Sequence, residues 1–199
     1  VWEPSAAELA PYAEHVGEFE TLAGRPNVVG VWRGSGGGKS MILNGHIDTV
    51  EPGARDQWDV DPFSAELIDG RVFGRGSLDM KAGVVANILA ASALYECGWE
   101  PKGDVIVESV ISEEDGGAGT LAAILRGYTA DACIITEPTA FNVVVAQGGS
   151  LVFRIHIAGK SAHAAARNEG ISALDCFLPI YAALNEFEAE RNRTLDHPL

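Results

Sequence analysis

The sequence predicts an α/β domain built on a mostly parallel sheet with helices on its flanks, followed by the start of an α+β domain. Strand-length apolar segments alternate with helical segments up to residue 135, which is typical of parallel sheets. A strand with alternating polar and apolar side chains then appears at residues 151–158. Between these two patterns lies Gln147-Gly148-Gly149-Ser150. We therefore expect the first domain to cover residues 1–147 and the second to cover residues 148–199.

The elements of the predicted first domain follow one another along the chain. Apolar spacing, apolar runs and turn residues define them. The predicted helices are 4–23, 80–96 and 119–125, and the predicted strands are 27–32, 41–44, 65–68, 71–73, 104–111 and 132–135. Asp69-Gly70 is a typical two-residue hairpin turn. In the second domain, an amphipathic helix is expected at about residues 171–190.

Charge and composition exclude several classes of partner. The 199 residues contain 14 Lys and Arg against 28 Asp and Glu, a net charge of −14, which argues against nucleic acid or an anionic membrane surface. No run of 18 apolar residues lacks a charge, so no membrane-spanning helix is expected. The three cysteines, Cys97, Cys133 and Cys176, are far apart in apolar segments, which predicts reduced, buried thiols and a cytoplasmic protein.

Two further features bear on how the chain is interpreted. Residues 34–40 contain a glycine-rich run before Lys39, but a phosphate-binding loop needs a glycine where Arg33 stands. Such a loop must also open a helix, whereas residues 41–44 predict a strand, so we expect a hairpin tip. The chain starts at Val1 and stops just after a helical segment, and we therefore expect a portion of a longer protein.

Four polar segments follow the predicted buried strands or lie in the loops after them. They carry His46 with Asp48, Asp79, Glu113 with Glu114, and Glu137. Each segment alone also fits a structural role, respectively a core histidine, a helix N-cap, a solvated acidic loop and the start of a loop. Together, a histidine and several carboxylates without cysteine suit zinc or a similar divalent ion. Their number suits a pair of ions about 3.5–4 Å apart.

The order of these motifs resembles one family closely. The motifs G-H-I-D-T-V, G-R-G-S-L-D-M-K-A-G, S-E-E-D-G-G and T-E-P resemble those of the co-catalytic (dinuclear) zinc hydrolases. That family includes acetylornithine deacetylase, succinyl-diaminopimelate desuccinylase, aminoacylase-1 and carboxypeptidase G-type enzymes. The resemblance runs from about Val28 to about Leu184. It implies a zinc-peptidase-like catalytic domain and a lid domain that also forms a homodimer.

The resemblance also implies a role for each motif residue. His46 and Glu137 would bind the first metal, Glu114 the second, and Asp79 would bridge both, with a cis peptide bond after it. Asp48 would orient His46, and Glu113 would be the general base. His163, in the segment Gly159–Ala165, would reach the partner subunit's active site and stabilise an oxyanion. A last histidine ligand of the second metal is expected downstream of Leu199.

The resemblance therefore implies a metal-dependent amide hydrolase that releases an amino acid from an N-acyl amino acid. Two divalent ions are expected, with zinc preferred over cobalt or manganese. Some peptidases of the family have Asp where this chain has Glu137, which favours a deacylase. A metallo-carboxypeptidase or dipeptidase, and a non-catalytic metal-binding member, remain as alternatives.

Overall fold

The structure is a computed structural model, and it describes residues 1–12, 22–149 and 153–193. The chain forms two compact units, Val1–Val143 and Val144–Leu199. This division lies a few residues before the boundary expected at 147/148, which stays a prediction.

A four-stranded sheet forms the centre of the first unit. Its strands are β1 (Val28–Trp32), β2 (Met41–His46), β5 (Val105–Val110) and β6 (Ala132–Ile135), in the order β1-β5-β2-β6. Strand β2 pairs in parallel with both β5 and β6, whereas β1 pairs antiparallel with β5. The predicted mostly parallel sheet is thus confirmed. The three parallel strands end at the same edge, from which three of the four polar segments emerge, namely those that carry His46, Glu113 and Glu137.

A separate hairpin precedes the second helix. It consists of β3 (Glu66–Ile68) and β4 (Arg71–Phe73), which pair antiparallel around Asp69-Gly70. Both turn residues have positive φ, at 49° and 75°, as a tight two-residue turn of this kind requires. The predicted hairpin is confirmed.

Four α-helices are present in the described residues. They are α1 (Ala6–Leu9), α2 (Ala82–Glu96), α3 (Ala118–Leu125) and α4 (Ala173–Asn192). Ser5 and Glu8 cap the start of α1 reciprocally, and a 3-10 turn at Ala10–Tyr12 follows it. The rest of the helix predicted at 4–23 falls largely on residues 13–21, outside the described part of the chain.

Helix α2 covers one face of the sheet. Its residues Gly83, Val84 and Asn87 are buried, and Asn87 Nδ2 donates a hydrogen bond to the Asn44 carbonyl of β2 at 3.0 Å. By length and composition, Ser77–Glu96 is long and apolar enough to cross a membrane, contrary to the sequence expectation. The sequence expectation considered only apolar stretches that contain no charged residue. Ser77–Glu96 contains two charged residues near its start, Asp79 and Lys81, and so did not meet that condition. The contacts with β2 and β5 are those of a helix packed on a sheet.

Asn27 connects β1 to the far end of β5. Its side chain accepts a hydrogen bond from the Ile111 N–H at 3.0 Å and donates one to the Gly119 carbonyl at 2.7 Å. It lies beside a small core, whose residues are Leu9, Leu22, Ile111, Ala118 and Ala122. Because Asn27 is fully buried, these two bonds hold both ends of the intervening acidic loop in a dry environment.

The second unit corrects one prediction. Residues 153–158 form no strand, although their side chains alternate as a strand's do. A strand needs a neighbour for its backbone groups, and in this unit the described pairing is a single bridge between Lys160 and Ile171. Helix α4 begins after Ser172, whose hydroxyl accepts the Asp175 N–H, close to the predicted start.

The prediction of buried cysteines is also wrong. Cys97, Cys133 and Cys176 are unpaired, as expected, but exposed. Their positions explain the exposure: Cys97 follows the last turn of α2, Cys133 is on the outer strand β6, and Cys176 is on the solvent-accessible helix α4.

A buried glutamate lies in the middle of the sheet. Glu108 on β5 is 3% exposed and pairs in register with Asn44 on β2. Asn44 Nδ2 donates to Glu108 Oε2 at 2.8 Å, while Oε1 has no hydrogen-bond partner among the described residues. Burial raises the pKa of Glu108 and outweighs the opposite effect of the Asn44 hydrogen bond.

Replacing this carboxyl should therefore change how stability depends on pH. The folded state holds the Glu108 proton more tightly than the unfolded chain does, so wild-type stability falls as pH rises from the unfolded pKa, near 4.5, through the raised folded pKa. Glu108→Gln removes this loss of unfolding free energy, which amounts to about 1.4 kcal/mol for each unit by which the folded-state pKa of Glu108 is raised. In urea unfolding at several pH values, the free energy of unfolding of the variant should increase relative to that of wild type as pH rises. Exposed Glu96→Gln is the control, for which the difference in unfolding free energy from wild type should not depend on pH. The same pH-independent difference for Glu108→Gln would contradict a raised pKa of Glu108.

Candidate metal centre

The candidate centre is built around His46, the last residue of β2. The imidazole is 1% exposed, and its Nδ1 lies 3.0 Å from the Asp48 carbonyl oxygen. A carbonyl only accepts hydrogen bonds, so Nδ1 carries a proton and Nε2 of the neutral ring presents its lone pair. Nε2 faces carboxylate oxygens of three residues, which are Asp79 at 3.2 Å, Glu137 at 3.8 Å and Glu113 at 3.9 Å. A lone pair facing carboxylates is repulsive unless a proton or a metal ion lies between them.

Asp79 is delivered by a wide turn before α2. Ser77–Lys81 forms a kinked turn, with non-helical backbone angles at Asp79 and Met80, that starts after Gly76, whose φ of 81° is costly for residues with a side chain. The Asp79–Met80 peptide bond is cis, as the resemblance implies. At Gly83, a Cβ would overlap the carbonyl and hydroxyl oxygens of Thr136. This close approach brings the start of α2 against the segment that carries Glu137.

Glu113 and Glu114 lie in the loop after β5. The two oxygens of the Asp48 carboxylate each accept one backbone N–H of this loop, from Glu113 and from Glu114, both at 3.2 Å. The resemblance implies that Asp48 orients His46. In the structure the nearer Asp48 atom to Nδ1 is the carbonyl oxygen, since Oδ1 is 3.5 Å away. The carboxylate of Asp48 therefore contacts the acidic loop at least as directly as the ring.

The structure brings the predicted ligands of the first unit together. Two groups of side chains have ligand atoms within 4.8 Å of one another, and His46 belongs to both. One group adds Asp79 and Glu137, and the other adds Glu113 and Glu114. Imidazole and carboxylate donors are a set that zinc and similar divalent ions accept. The residues present therefore fit a metal centre, while the individual roles stay predictions.

The titration of these groups indicates an excess of negative charge. Burial is the largest influence on the pKa of Glu113 and of Glu137, and it raises both. The neighbouring carboxylates raise these pKa values further, against the lowering effect of His46. Burial lowers the pKa of His46, but the Asp48 carbonyl and nearby carboxylates outweigh it, so the net shift is upward. All three groups therefore hold a proton more tightly than usual, and a bound divalent cation would lower these pKa values.

His163 belongs to the other unit. It precedes a 3-10 helix at Ala164–Glu169, and its Nδ1 accepts the Ala165 N–H at 3.1 Å. Its expected action in a partner's active site stays a prediction.

Sequence reasoning missed one residue at this centre. The Arg25 guanidinium lies 3.0 Å from Asp115 Oδ2 and 3.6 Å from Asp48 Oδ2. No motif surrounds Arg25, and 90 residues separate it from Asp115. Nothing in the local pattern signals the contact, which only the fold creates.

Comparison with known proteins finds relatives that carry the names of hydrolases. It is 34% identical over 196 residues to a Bacillus subtilis protein named N-formyl-4-amino-5-aminomethyl-2-methylpyrimidine deformylase, covering 90% of this chain and 46% of the relative. It is 36% identical over 170 residues to succinyl-diaminopimelate desuccinylase of Bordetella parapertussis, covering 79% and 44%. A probable succinyl-diaminopimelate desuccinylase of Staphylococcus aureus is 31% identical over 156 residues, covering 77% and 38%.

The chain thus spans less than half the length of these relatives. A model of one protein family matches residues 42–193, which include all the candidate metal ligands and the segment around His163. Because this match covers most of the sequence, the chain belongs to peptidase family M20/M25/M40.

Proposed function

We propose that the protein is a metal-dependent amide hydrolase that removes an acyl group from an amine, with an N-acyl amino acid as the preferred substrate. The observation that carries the proposal is the lone-pair side of buried His46, which faces three carboxylates within 3.9 Å. Such an arrangement of negative groups around a lone pair attracts a cation and is electrostatically unfavourable without one. Membership of a hydrolase family supports the same conclusion.

Two divalent ions, preferably zinc, would be held by the residues of the two groups. His46 and Glu137 would bind the first ion, Glu114 the second, and Asp79 would bridge them. Bound there, the ions would supply a lowered pKa for water and polarisation of the acyl carbonyl. Asp48 holds the backbone of Glu113 and Glu114 and contacts the His46 ring, so it fixes both halves of the centre.

Glu113 is the proposed general base. Its carboxylate lies 3.9 Å from His46 Nε2 and is half exposed, so it faces both the ligand cluster and solvent. Burial raises the pKa of Glu113 toward the range useful for proton transfer. Glu113 takes a proton from the attacking water, the water oxygen bonds to the acyl carbon, and the carbon–nitrogen bond breaks. Glu113 then returns the proton to the leaving amine.

Further parts of the proposal concern the second unit. Residues 148–199 would begin a lid domain through which two subunits form a homodimer. His163 of each subunit would donate to the oxyanion in the partner's active site. We also propose a cytoplasmic location.

The names of the relatives favour a deacylase over a peptidase. One relative is named for removing a formyl group from an aminomethylpyrimidine, and two for removing a succinyl group from diaminopimelate. A carboxypeptidase or dipeptidase remains the second candidate, because the family is described as one of peptidases.

Amine release from a substrate panel separates these candidates. The natural protein, stripped of metal, should release amine from N-formyl, N-acetyl or N-succinyl amino acids only after zinc is added. Faster release from dipeptides would favour the peptidase. Zinc binding without turnover of any compound, formylated amines included, would favour a non-catalytic member.

Glu113→Gln should abolish most turnover while leaving metal content unchanged. Loss of a general base lowers kcat by about 10²- to 10⁴-fold, whereas no metal–ligand bond is removed. Turnover and zinc content are measured on the same samples, with exposed Glu96→Gln as the matched control. Equal loss of zinc and rate would contradict the general-base role.

Asp79→Asn should weaken both metal sites together, because one carboxylate would serve two ions. Zinc titration of the stripped variant should show two weakened sites, whereas Asp59→Asn, an exposed aspartate in the loop before β3, should keep wild-type affinity. Retention of two zinc ions at wild-type affinity would exclude a bridging role.

A further inference from the structure

Arg25, Pro26 and Asn27 lie next to the acidic loop that carries Glu113 and Glu114. Asn27 binds the flanks of this loop through the Ile111 N–H and the Gly119 carbonyl. Arg25, two residues earlier, contacts the middle of the loop through Asp115 at 3.0 Å. One short segment therefore holds the loop at its two ends and its centre.

Arg25 also reaches the group that orients the two glutamates. One guanidinium nitrogen lies 3.6 Å from Asp48 Oδ2, and the Asp48 carboxylate accepts the N–H groups of Glu113 and Glu114. The side chains of Arg25 and Asp48 are only 29% and 11% exposed, so solvent screens this pair less than it screens a surface pair. The guanidinium thus joins Asp48 to Asp115 across the loop.

The loop has internal bonds that depend on Asp115. The Ser112 hydroxyl donates to Asp115 Oδ1, while Arg25 donates to Oδ2. Ser112 itself is buried and has a φ of 64°, a conformation unfavourable for a residue with a side chain. Asp115 therefore stabilises a turn whose backbone would otherwise favour another conformation, and Arg25 fixes Asp115.

From these contacts we infer that Arg25 is a positioning residue, which holds the acidic loop so that Glu113 and Glu114 face His46. The inference rests on the proposed function, because it concerns the loop of the proposed base and of the proposed second-site ligand. Arg25 acts through Asp48 and Asp115 and contacts neither Glu113 nor Glu114 in any described hydrogen bond or ion pair.

Two roles of Arg25 predict opposite results for metal affinity. If Arg25 only contributed positive charge, Arg25→Gln would make the centre more negative and zinc would bind more tightly. If Arg25 positions the loop, Arg25→Gln lets Glu114 move away and zinc binds more weakly. Positioning affects the Glu114 site more than the other site, because His46, Asp79 and Glu137 lie outside the loop and Arg25 reaches His46 only through Asp48.

The test is zinc titration and steady-state kinetics on the natural protein and its variants. For Arg25→Gln we expect one of the two zinc affinities and kcat each to fall about 10- to 100-fold, the usual effect of removing a group that supports a metal ligand. The other zinc affinity should fall much less, and KM should stay within about twofold of wild type. Arg25→Lys should recover part of the loss, because an ammonium binds one of the two carboxylates well but lacks the planar fork that spans both.

Arg126→Gln is the matched control. Arg126 makes two hydrogen bonds to Glu8, at 2.8 and 3.2 Å, and stacks over Trp2, away from the acidic loop. Its loss should lower the Tm without changing either zinc affinity or kcat. Should Arg25→Gln behave in the same way, Arg25 would be only a structural residue.

The remaining outcomes are also decisive. Unchanged or tighter zinc binding in Arg25→Gln, or equal weakening of both sites, would overturn the inference. A wild-type protein that takes up no zinc would refute the proposed function and this inference with it. A wild-type protein that binds zinc but hydrolyses none of the panel would leave the inference to be decided by the zinc affinities alone.

Discussion

The parallel pairing of β2 with both β5 and β6 is the constraint on which the rest of the first unit depends. Parallel strands end at the same edge, so three segments distant in sequence emerge within a few ångströms of one another. The last residue of β2 is His46 itself, while the other two strands deliver Glu113 and Glu137 shortly after they end. The helix crossing from the hairpin to β5 adds Asp79 at its start. No single segment of the chain could supply this set.

Electrostatic repulsion is the cost of that convergence. Several carboxylates are held beside one buried imidazole, and the pKa values of Glu113, Glu137 and His46 all shift upward. Hydrogen bonds hold the backbone of the acidic loop in place against this repulsion. The Asp48 carboxylate accepts two N–H groups of the loop, and the Asn27 side chain binds the residues on either side of the loop. Hydrogen bonds within the protein, and not the metal-ligating side chains themselves, thus fix the backbone around the centre, as a preorganised site requires.

Much of this could be predicted from the sequence, for definite reasons. Apolar runs ending in polar motifs predicted both the parallel strands and the convergence of His46, Asp79, Glu113 and Glu137, since sheet geometry brings such ends together. The strand predicted at residues 151–158 was wrong where it is described, because alternation signals a face and not the partner a strand requires. Arg25 and Glu108 carried no signal, because their roles depend on neighbours that are distant in sequence. The prediction that the cysteines are buried failed because burial depends on the final position of each element, as for Cys133, whose strand lies at the edge of the sheet.

The contact between Gly83 and Thr136 separates the kinds of change that this architecture can absorb. The loop between Val50 and Gly74, with its hairpin, forms a separate two-stranded sheet, so insertions there can lengthen the chain without moving the strand ends. Even a single methyl group cannot be added at Gly83, because the carbonyl and hydroxyl oxygens of Thr136 already occupy the space that it would need. Divergence among proteins of this architecture is therefore easier through loops of different length than through small substitutions where α2 meets the end of β6.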